Sequence, residues 1–232
     1  MRVKIFADGA DVDSILKHYR NPLIKGFTTN PTLMNKAGIK NYENFAHDVL
    51  AMVTDRPVSL EVFADDFVEM SRQAMKIASW ASNVYVKIPV TNTKGEESFD
   101  LIKSLSHAGV KVNVTAVMTE HQITKSIAAL INGADAYISV FAGRIADTGR
   151  DPIPLMTLTA LALNRYPNIE LIWASPREVL NVYQANDAGV HIITATDDVL
   201  KKLPLQGKDL SEYSLETVKM FYNDAKASGF TL

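Results

Sequence analysis

Lys87 stands alone as a charged residue in a run of apolar, β-prone residues. Residues 84–90 read Val-Tyr-Val-Lys-Ile-Pro-Val. In a strand, Tyr85, Lys87 and Pro89 share one face, because successive side chains alternate between faces. If that face points into a core, removal from water favours the neutral, nucleophilic form of the amine. Such a lysine suits Schiff-base chemistry with a carbonyl substrate, and a structural ion pair with a carboxylate is the alternative.

Two carboxylates, Asp8 and Glu61, also belong to β-prone runs. Aldol chemistry through a Schiff base needs a base for a substrate hydroxyl and proton transfer to and from a carbinolamine. A carboxylate can perform the first task, and a water held by a carboxylate can perform the second. The structural alternatives are that Asp8 caps a turn and that Glu61 pairs with Lys87. Spacing alone leaves both interpretations open.

Arg144 and Arg177 follow two later β-prone runs and are candidates for an anion site. The forked donors of arginine match phosphate geometry. Loops after the late strands of an α/β barrel often hold phosphate. Ordinary surface salt bridges are the alternative for each arginine.

These residues recur along an alternation of short β-prone runs and longer amphipathic segments. The predicted strands cover residues 3–7, 24–28, 58–63, 84–90, 111–116, 134–141, 169–173 and 191–194. Alternating strands and helices imply parallel pairing through right-handed crossovers. Eight such units predict an α/β fold, a single (β/α)8 TIM barrel. An open doubly wound sheet is the alternative, but its usual glycine-rich phosphate loop is absent.

The helical segments account for most of the remaining chain. They cover residues 11–19, 42–53, 67–80, 96–107, 120–131, 151–165, 176–186 and 197–203. An additional C-terminal helix over residues 213–227 carries an apolar stripe that the barrel does not need. We therefore interpret residues 1–232 as one barrel domain, with 208–232 as a helical extension. The stripe either caps its own barrel or packs on a neighbouring subunit.

The barrel prediction brings the polar residues together, because active sites of parallel barrels lie at the carboxyl ends of the strands. Seven of the eight predicted strands end in, or lead into, polar side chains. These are Asp8, Thr28, Thr29, Asn30, Glu61, Lys87, Asn113, Thr115, Ser139, Arg144, Ser175 and Arg177. The sequence therefore predicts one site that combines an amine, two carboxylates and two arginines.

The composition excludes several kinds of chemistry. The chain has no cysteine, which excludes disulfide scaffolds, thiolate metal sites and a cysteine nucleophile. Its 5 histidines lack ligand spacing such as His-x-x-x-His, so we expect no metal site. With 24 basic and 26 acidic residues, no nucleic-acid partner is expected. The first residues do not resemble a signal peptide, and no run of about 18 apolar residues occurs, so we expect a cytoplasmic protein without a membrane partner.

The motifs together resemble the transaldolase family of class I aldolases, and specifically its short-chain branch related to fructose-6-phosphate aldolase. The resemblance covers essentially the whole chain. Its most specific segments are Thr-Thr-Asn-Pro at residues 28–31 and Lys-Ile-Pro-Val-Thr at 87–91. Phe-Ala-Asp at 6–8, Leu-Glu-Val at 60–62, Val-Asn-Val-Thr at 112–115, Val-Phe-Ala-Gly-Arg at 140–144 and Ser-Pro-Arg at 175–177 complete the pattern.

The resemblance assigns a role to each candidate. It implies that Lys87 forms the Schiff base, that Asp8 is the general acid/base, and that Glu61 and Thr115 hold the water used in proton transfer. It further implies substrate binding by Thr29, Asn30, Asn113, Ser139, Phe141, Arg144, Ser175 and Arg177. Within that set, Arg144, Ser175 and Arg177 correspond to the phosphate-binding residues. No cofactor is implied, because the Schiff base itself accepts the electron pair.

The implied enzyme is a transaldolase that moves a dihydroxyacetone unit from a ketose phosphate, such as fructose 6-phosphate or sedoheptulose 7-phosphate, to an aldose phosphate. Fructose-6-phosphate aldolases, which release free dihydroxyacetone, typically have Gln in place of Glu61 and Tyr in place of Phe141, and lack Asn113. All three positions here follow the transaldolase pattern. A catalytically silent sugar-phosphate-binding barrel is a third, less favoured interpretation.

Two departures from the family pattern affect specificity. Gly9 replaces a usual threonine, and Pro176 replaces an aromatic residue. They leave the acceptor and the anionic terminus open, and a sulfonate or a carboxylate could replace phosphate. The resemblance also implies a role in pentose phosphate metabolism and a homo-oligomer, a pentamer or decamer, in which the last helix packs on a neighbour.

Overall fold

Across residues 1–231, the part of the chain that the computed structural model describes, eight parallel strands close into a barrel in chain order. The strands are β1 Lys4–Asp8, β2 Ile24–Thr28, β3 Val58–Glu61, β4 Val84–Pro89, β5 Val112–Val117, β6 Ala136–Val140, β7 Ile169–Trp173 and β8 Ile192–Thr196. β8 pairs with β1, from Lys4 opposite Ile192 to Asp8 opposite Thr196, and this pairing closes the barrel. The predicted TIM barrel is confirmed, and the open doubly wound sheet is wrong.

The described residues contain eleven α-helices, and most of the strands are followed directly by one of them. They are α1 Val12–Tyr19, α2 Pro31–Lys36, α3 Tyr42–Met52, α4 Phe67–Ala78, α5 Phe99–His107, α6 Glu120–Leu130, α7 Ala142–Asp147, α8 Ile153–Leu163, α9 Leu180–Asp187, α10 Asp197–Leu200 and α11 Leu210–Ala227. A 3-10 turn covers Leu203–Leu205. Periodicity does not reveal α2 and α7, because each has only 6 residues, fewer than two turns.

Polar caps explain why several helices begin where they do. The side chains of Asp11, Asn30, Asn41 and Asp66 accept hydrogen bonds from backbone N–H groups of the first turns of α1, α2, α3 and α4. Such caps typically stabilise a helix by about 1 kcal/mol each. Asn30 with Pro31 at the first helical position is therefore a readable signal for α2.

One predicted helix starts late for a local reason. The sequence predicts a helix over 176–186, but α9 begins only at Leu180. Ser175 adopts a left-handed conformation with φ 59°. The Asn181 side chain then accepts hydrogen bonds from the N–H groups of Arg177 and Glu178, at 2.7 and 3.2 Å. These bonds stabilise a turn in place of the first helical residues.

An aromatic cluster fills the barrel beneath the carboxyl ends of the strands. Tyr85 and Tyr137 stack with their ring centroids 4.0 Å apart, and the Phe6 ring meets Tyr137 edge-on at 5.9 Å. Gly26 on β2 makes room for Phe6, because a Cβ there would lie 2.5 Å from its ring. The interior of the barrel is thus a packed core. The polar side chains two residues further along the same strands lie directly above this packed layer.

The chain divides into two compact units, residues 1–200 and a second unit that begins at Lys201. The second unit contains α11, which extends the predicted helix 213–227 to Leu210–Ala227. The predicted apolar stripe is exposed in this chain, with Leu215, Val218, Phe221 and Tyr222 all more than half accessible. That residues 208–232 form an extension of a single barrel domain stays a prediction. What the apolar stripe packs on, its own barrel or a neighbouring subunit, also stays a prediction. None of the described helices combines the length and apolar character that crossing a membrane requires.

Candidate active site

A cavity of about 520 Å³ opens at the carboxyl ends of the barrel strands. Its size is in the range of small-molecule sites. Ten of the twelve residues predicted from the sequence line it: Asp8, Asn30, Glu61, Lys87, Thr115, Ser139, Phe141, Arg144, Ser175 and Arg177. Thr29 and Asn113 do not line it. The structure thus brings side chains from early and late strands to one cavity, and their roles in a functional site stay predictions.

Lys87 lies on the inner face of β4 with only 6% of its surface exposed. The β3–β4 register places it opposite Glu61. Its Nζ donates to the carbonyl of Thr29 at 2.7 Å and to Glu61 Oε2 at 2.9 Å. The ion pair named as the structural alternative is thus present. The same contact places a carboxylate where it can receive a proton from the amine.

Asp8 ends β1 on the opposite side of the pocket and is held by side chains of β2 and the loop after it. Thr28 Oγ1 donates to Asp8 Oδ1 at 2.8 Å, and Asn30 Nδ2 lies 3.4 Å from Oδ2. Burial raises the pKa of Asp8 above its ordinary value, although the positive charge of Lys87 and the bond from Thr28 oppose the shift. A carboxyl with a raised pKa exchanges protons closer to neutral pH, as a general acid/base must.

Thr115 presents a buried hydroxyl at the wall of the cavity. The residue is 2% exposed, and its Oγ1 makes no hydrogen bond with the described protein atoms. The next residue, Ala116, has φ 62° within the irregular pairing of β5 with β6. A buried hydroxyl is stable only with a partner, so Thr115 is suited to bind a water or a substrate oxygen.

Asn113 and Thr29 lie behind the cavity surface and are fully buried. Asn113 Nδ2 donates to Ser59 Oγ at 3.0 Å, and Ser139 Oγ donates to Asn113 Oδ1 at 2.7 Å. Thr29 Oγ1 donates to the Ser59 carbonyl at 2.9 Å. Both residues thus support the side chains that line the cavity, and their direct contact with a substrate stays a prediction.

The two arginines stand at the mouth of the cavity in different electrostatic settings. Arg144 is exposed, with its guanidinium carbon 5.9 Å from the centroid of the Phe141 ring. Arg177 forms a two-pronged salt bridge with Asp147 of α7, in which Nε donates at 3.0 Å. The surface salt bridge named as the alternative is therefore present for Arg177, whereas Arg144 has the freer charge.

Gly143 permits the close packing of the loops after β6 and β7. A Cβ at this position would lie 1.6 Å from the Ser175 carbonyl oxygen and 3.3 Å from Arg177 Nε. Only a residue without a side chain fits there, so Gly143 fixes the distance between the segments that carry Arg144 and Arg177.

The sequence interpretation missed several residues of the site. Thr194 of β8 lines the cavity, and its Oγ1 is 2.6 Å from Thr28 Oγ1. Thr196 and Asp198 also line it. Thr194 lies two residues after Ile192, which belongs to the aromatic cluster inside the barrel, so the period of two could have revealed it. Among residues 1–231, no group of three or more histidine or carboxylate side chains is placed to hold a metal ion.

Comparison with known proteins identifies the family. The model of the transaldolase/fructose-6-phosphate aldolase family matches residues 5–232. The chain belongs to this family. A relative from Dehalococcoides mccartyi, named "Probable transaldolase", is 35% identical over 202 residues, which cover 87% of this chain and 90% of the relative. A relative of the same name from Lactiplantibacillus plantarum is 37% identical over 217 residues, covering 91% and 95%.

A solved structure of dihydrodipicolinate synthase from Rhodopseudomonas palustris has the same fold, with a TM-score of 0.55 and 13% identity over 83% of this chain and 69% of that one. At this identity the likeness concerns the barrel alone. Membership in the transaldolase/fructose-6-phosphate aldolase family makes the chain an enzyme of the transaldolase type.

Proposed function

We propose that this enzyme transfers a dihydroxyacetone unit from a ketose phosphate to an aldose phosphate through a Schiff base on Lys87. One observation carries the proposal: the buried amine of Lys87 lies 2.9 Å from the Glu61 carboxylate, in a cavity that Asp8 also lines. Fructose 6-phosphate and sedoheptulose 7-phosphate are donors of the required chemical class. The relatives named as probable transaldolases support the same reaction class.

The first half of the reaction forms the Schiff base. Glu61 receives a proton from Lys87, and the neutral amine adds to the ketose carbonyl to give a carbinolamine. Water held between Glu61 and the Thr115 hydroxyl then transfers protons while the carbinolamine loses its hydroxyl as water. The iminium that results accepts electrons from the neighbouring carbon–carbon bond.

The second half exchanges one aldose for another. Asp8 removes the proton of the donor's C4 hydroxyl, the bond between C3 and C4 breaks, and its electron pair moves into an enamine on Lys87. The first aldose leaves, and the enamine attacks the carbonyl of the acceptor aldose. Asp8 returns its proton to the new alkoxide, and water hydrolyses the iminium to free Lys87.

The same proposal assigns recognition of the substrate to the remaining residues. Asn30 and Ser139 line the cavity beside the catalytic groups and bind donor hydroxyls, with Asn113 and Thr29 supporting them from behind. Phe141 contributes an apolar wall. The arginines at the mouth, with Ser175, bind the phosphate end of the sugar, because guanidinium groups pair with phosphate oxygens.

Borohydride trapping tests the Schiff base directly. Incubation with fructose 6-phosphate and borohydride should leave a reduced dihydroxyacetone adduct on Lys87, detected by intact mass and peptide mapping. Lys87→Met should abolish the adduct. Lys111→Met is the matched control, because Lys111 donates to the Ser82 carbonyl at 3.0 Å outside the cavity and should leave the adduct unchanged. No adduct with any ketose phosphate, or an unchanged adduct in Lys87→Met, contradicts the proposal.

Acceptor dependence separates transfer from simple cleavage. A transaldolase should release product rapidly only when an aldose such as erythrose 4-phosphate is present. Release of free dihydroxyacetone without an acceptor, at an equal rate, would instead identify a fructose-6-phosphate aldolase. A panel of phosphate, sulfonate and carboxylate sugars would define the anionic terminus.

The cellular setting is proposed from the family resemblance alone. We propose a cytoplasmic homo-oligomer, a pentamer or decamer, that acts in pentose phosphate metabolism on small sugar phosphates. Light scattering of the purified chain at micromolar concentration tests the assembly, and a monomer in that measurement contradicts it.

A further inference from the structure

Strand β3 is longer at its carboxyl end than its neighbour β2. The β2–β3 pairing ends with Thr28 opposite Ser59, and the last ladder bond runs from the Thr29 N–H to the Ser59 carbonyl at 3.2 Å. The chain then turns away into α2 at Pro31. Glu61 lies two residues after Ser59, so its backbone N–H and C=O point toward β2, as those of Ser59 do. They lie beyond the last ladder bond and need other hydrogen-bond partners.

Tyr42 supplies both partners. The Glu61 N–H donates to Tyr42 Oη at 2.9 Å, and the same hydroxyl donates to the Glu61 carbonyl at 3.1 Å. Tyr42 is the first residue of α3. The Asn44 N–H donates a hydrogen bond to Asn41 Oδ1 at 3.0 Å, and this cap sets where the helix begins. A single side-chain hydroxyl thus takes the place of a strand at the end of β3.

The Tyr42 ring is itself held firmly. Its centroid lies 4.3 Å from that of Phe63 in an edge-on arrangement and 6.1 Å from that of Trp80. Burial raises the pKa of the Tyr42 hydroxyl, so it keeps the proton that it donates to Glu61 throughout the working pH range. The ring contacts and the retained proton both favour the two hydrogen bonds between the Tyr42 hydroxyl and the Glu61 backbone.

The residues that follow Glu61 are held in a similar way from outside the barrel. Gln73 of α4 accepts hydrogen bonds from the N–H groups of Phe63 and Ala64, at 2.8 and 3.0 Å. On the other side, the Val62 N–H donates to the Lys87 carbonyl at 3.2 Å. The β4 side of the segment is thus a normal ladder, whereas the opposite side depends on two side chains.

We propose that Tyr42 is a positioning residue, whose hydroxyl fixes the backbone from which the Glu61 carboxylate reaches Lys87. This inference rests on the proposed function, in which Glu61 transfers protons to and from Lys87. Proton transfer depends steeply on distance, and a displacement of about 1 Å can slow an enzyme by about 10²-fold. Proton transfer across the 2.9 Å contact between Glu61 and Lys87 is therefore sensitive to movement of the backbone at the carboxyl end of β3.

The test is Tyr42→Phe, which removes the hydroxyl and keeps the ring packing. We expect kcat to fall about tenfold while KM for fructose 6-phosphate changes less than about twofold, because the substrate contacts remain. The rate at which the borohydride-trappable adduct forms should fall in parallel. Thermal unfolding of each variant measures the accompanying loss of stability.

Asn83→Leu is the matched control at the other end of β3. Asn83 Nδ2 donates to the carbonyls of Val53 and Arg56, at 2.7 and 2.8 Å, so this variant also removes two hydrogen bonds to the backbone next to the strand. It should lose stability and keep kcat. If Tyr42→Phe loses stability but keeps kcat, or if both variants lose kcat equally, Tyr42 has only a structural role.

Two further measurements keep the outcome decisive. Should Tyr42→Phe be too unstable for kinetics, Gln73→Met is expected to lower kcat in the same direction with KM unchanged, and an unaltered kcat there overturns the inference. If wild-type protein forms no trappable adduct, the proposed function fails and this role of Tyr42 fails with it. An adduct in wild type with unchanged kinetics in Tyr42→Phe overturns the role of Tyr42 alone.

Discussion

Asp8 and Thr28 face each other across the β1–β2 register, and the Thr28 hydroxyl donates to the Asp8 carboxylate at 2.8 Å. The same hydroxyl is 2.6 Å from Thr194 Oγ1, so three strands meet at one polar contact. Burial raises the pKa of Asp8 in spite of this donor and of the nearby Lys87 charge. Asp8 is therefore restrained in position while its proton affinity is increased, which is the combination that proton exchange with a substrate hydroxyl requires.

Because the folded state favours protonated Asp8, this residue contributes to stability at pH values below 3.8, the ordinary pKa of aspartate. This contribution is lost as pH rises through the raised folded-state pKa. Asp8→Asn remains neutral at every pH. We therefore expect this variant to gain stability over wild type as pH increases from acid to neutral, measured by urea unfolding at several pH values. A stability difference that does not change with pH would contradict the raised pKa.

The same shift should appear in catalysis. The apparent pKa of the acid limb in the pH profile of kcat/KM should lie above the ordinary aspartate pKa of 3.8, because Asp8 must be ionised to act as the base. Asp8→Asn should lower kcat by about 10²- to 10³-fold, while borohydride still traps an adduct on Lys87 that has the mass of the uncleaved ketose. Loss of the adduct in Asp8→Asn would mean that this carboxyl acts before the carbon–carbon bond breaks.

Glu61→Gln should separate proton transfer from packing at the other side of the cavity. The amide keeps a hydrogen-bond acceptor near Lys87 but cannot accept its proton. We expect kcat to fall by about 10²- to 10⁴-fold, with slower adduct formation and little change in KM. Stopped-flow mixing with ketose, followed by borohydride quenching, measures the adduct rate. Asn113→Asp would not serve as a control for Glu61→Gln, because it places a new charge at a fully buried position beneath the cavity and would destabilise the fold.

The sequence could predict the barrel and most of the site because both depend on local alternation. A period of two places Tyr85 and Lys87 on one face of a strand, and the rule for parallel barrels brings strand ends together. Alternation does not give depth along the barrel axis, which depends on the stagger between strands. The sequence therefore assigns Asn113 and Thr29 to the cavity, although both lie behind its surface.

The sequence could not predict contacts between side chains and residues of distant elements. Tyr42 and Glu61 are 19 residues apart, and Asp147 and Arg177 are 30 apart. Each contact depends on loop length, on the phase of a short helix and on a local backbone conformation such as that of Ser175. No spacing rule along one chain encodes those three features together.

Gly143 offers a test of the anion end of the cavity through packing alone. Gly143→Ala would place its Cβ against the Ser175 carbonyl, which is backbone and cannot rotate away. We expect a loss of about 1–3 kcal/mol of stability and a higher KM for phosphorylated ketoses, because the segments that carry Arg144 and Arg177 must separate. Gly9→Ala is the matched control for stability, since a Cβ at that position would meet no atom within 4 Å and no loss of stability is expected. An unchanged KM in Gly143→Ala would show that the contact with Ser175 does not affect binding.

Asp147 should weaken the binding of phosphate by competing for Arg177. Their salt bridge is about half exposed on both sides, at 47% and 51%, and exposed pairs contribute at most about 1 kcal/mol. Asp147→Asn should therefore lower KM for a phosphorylated ketose, and the inhibition constant of inorganic phosphate, by about two- to fivefold with kcat unchanged. Asp198→Asn is a useful comparison, because Asp198 lines the same cavity and accepts a hydrogen bond from Thr196 without contacting an arginine among the described residues. If KM rises in Asp147→Asn, the carboxylate orients Arg177 for the substrate, and the competition argument is wrong.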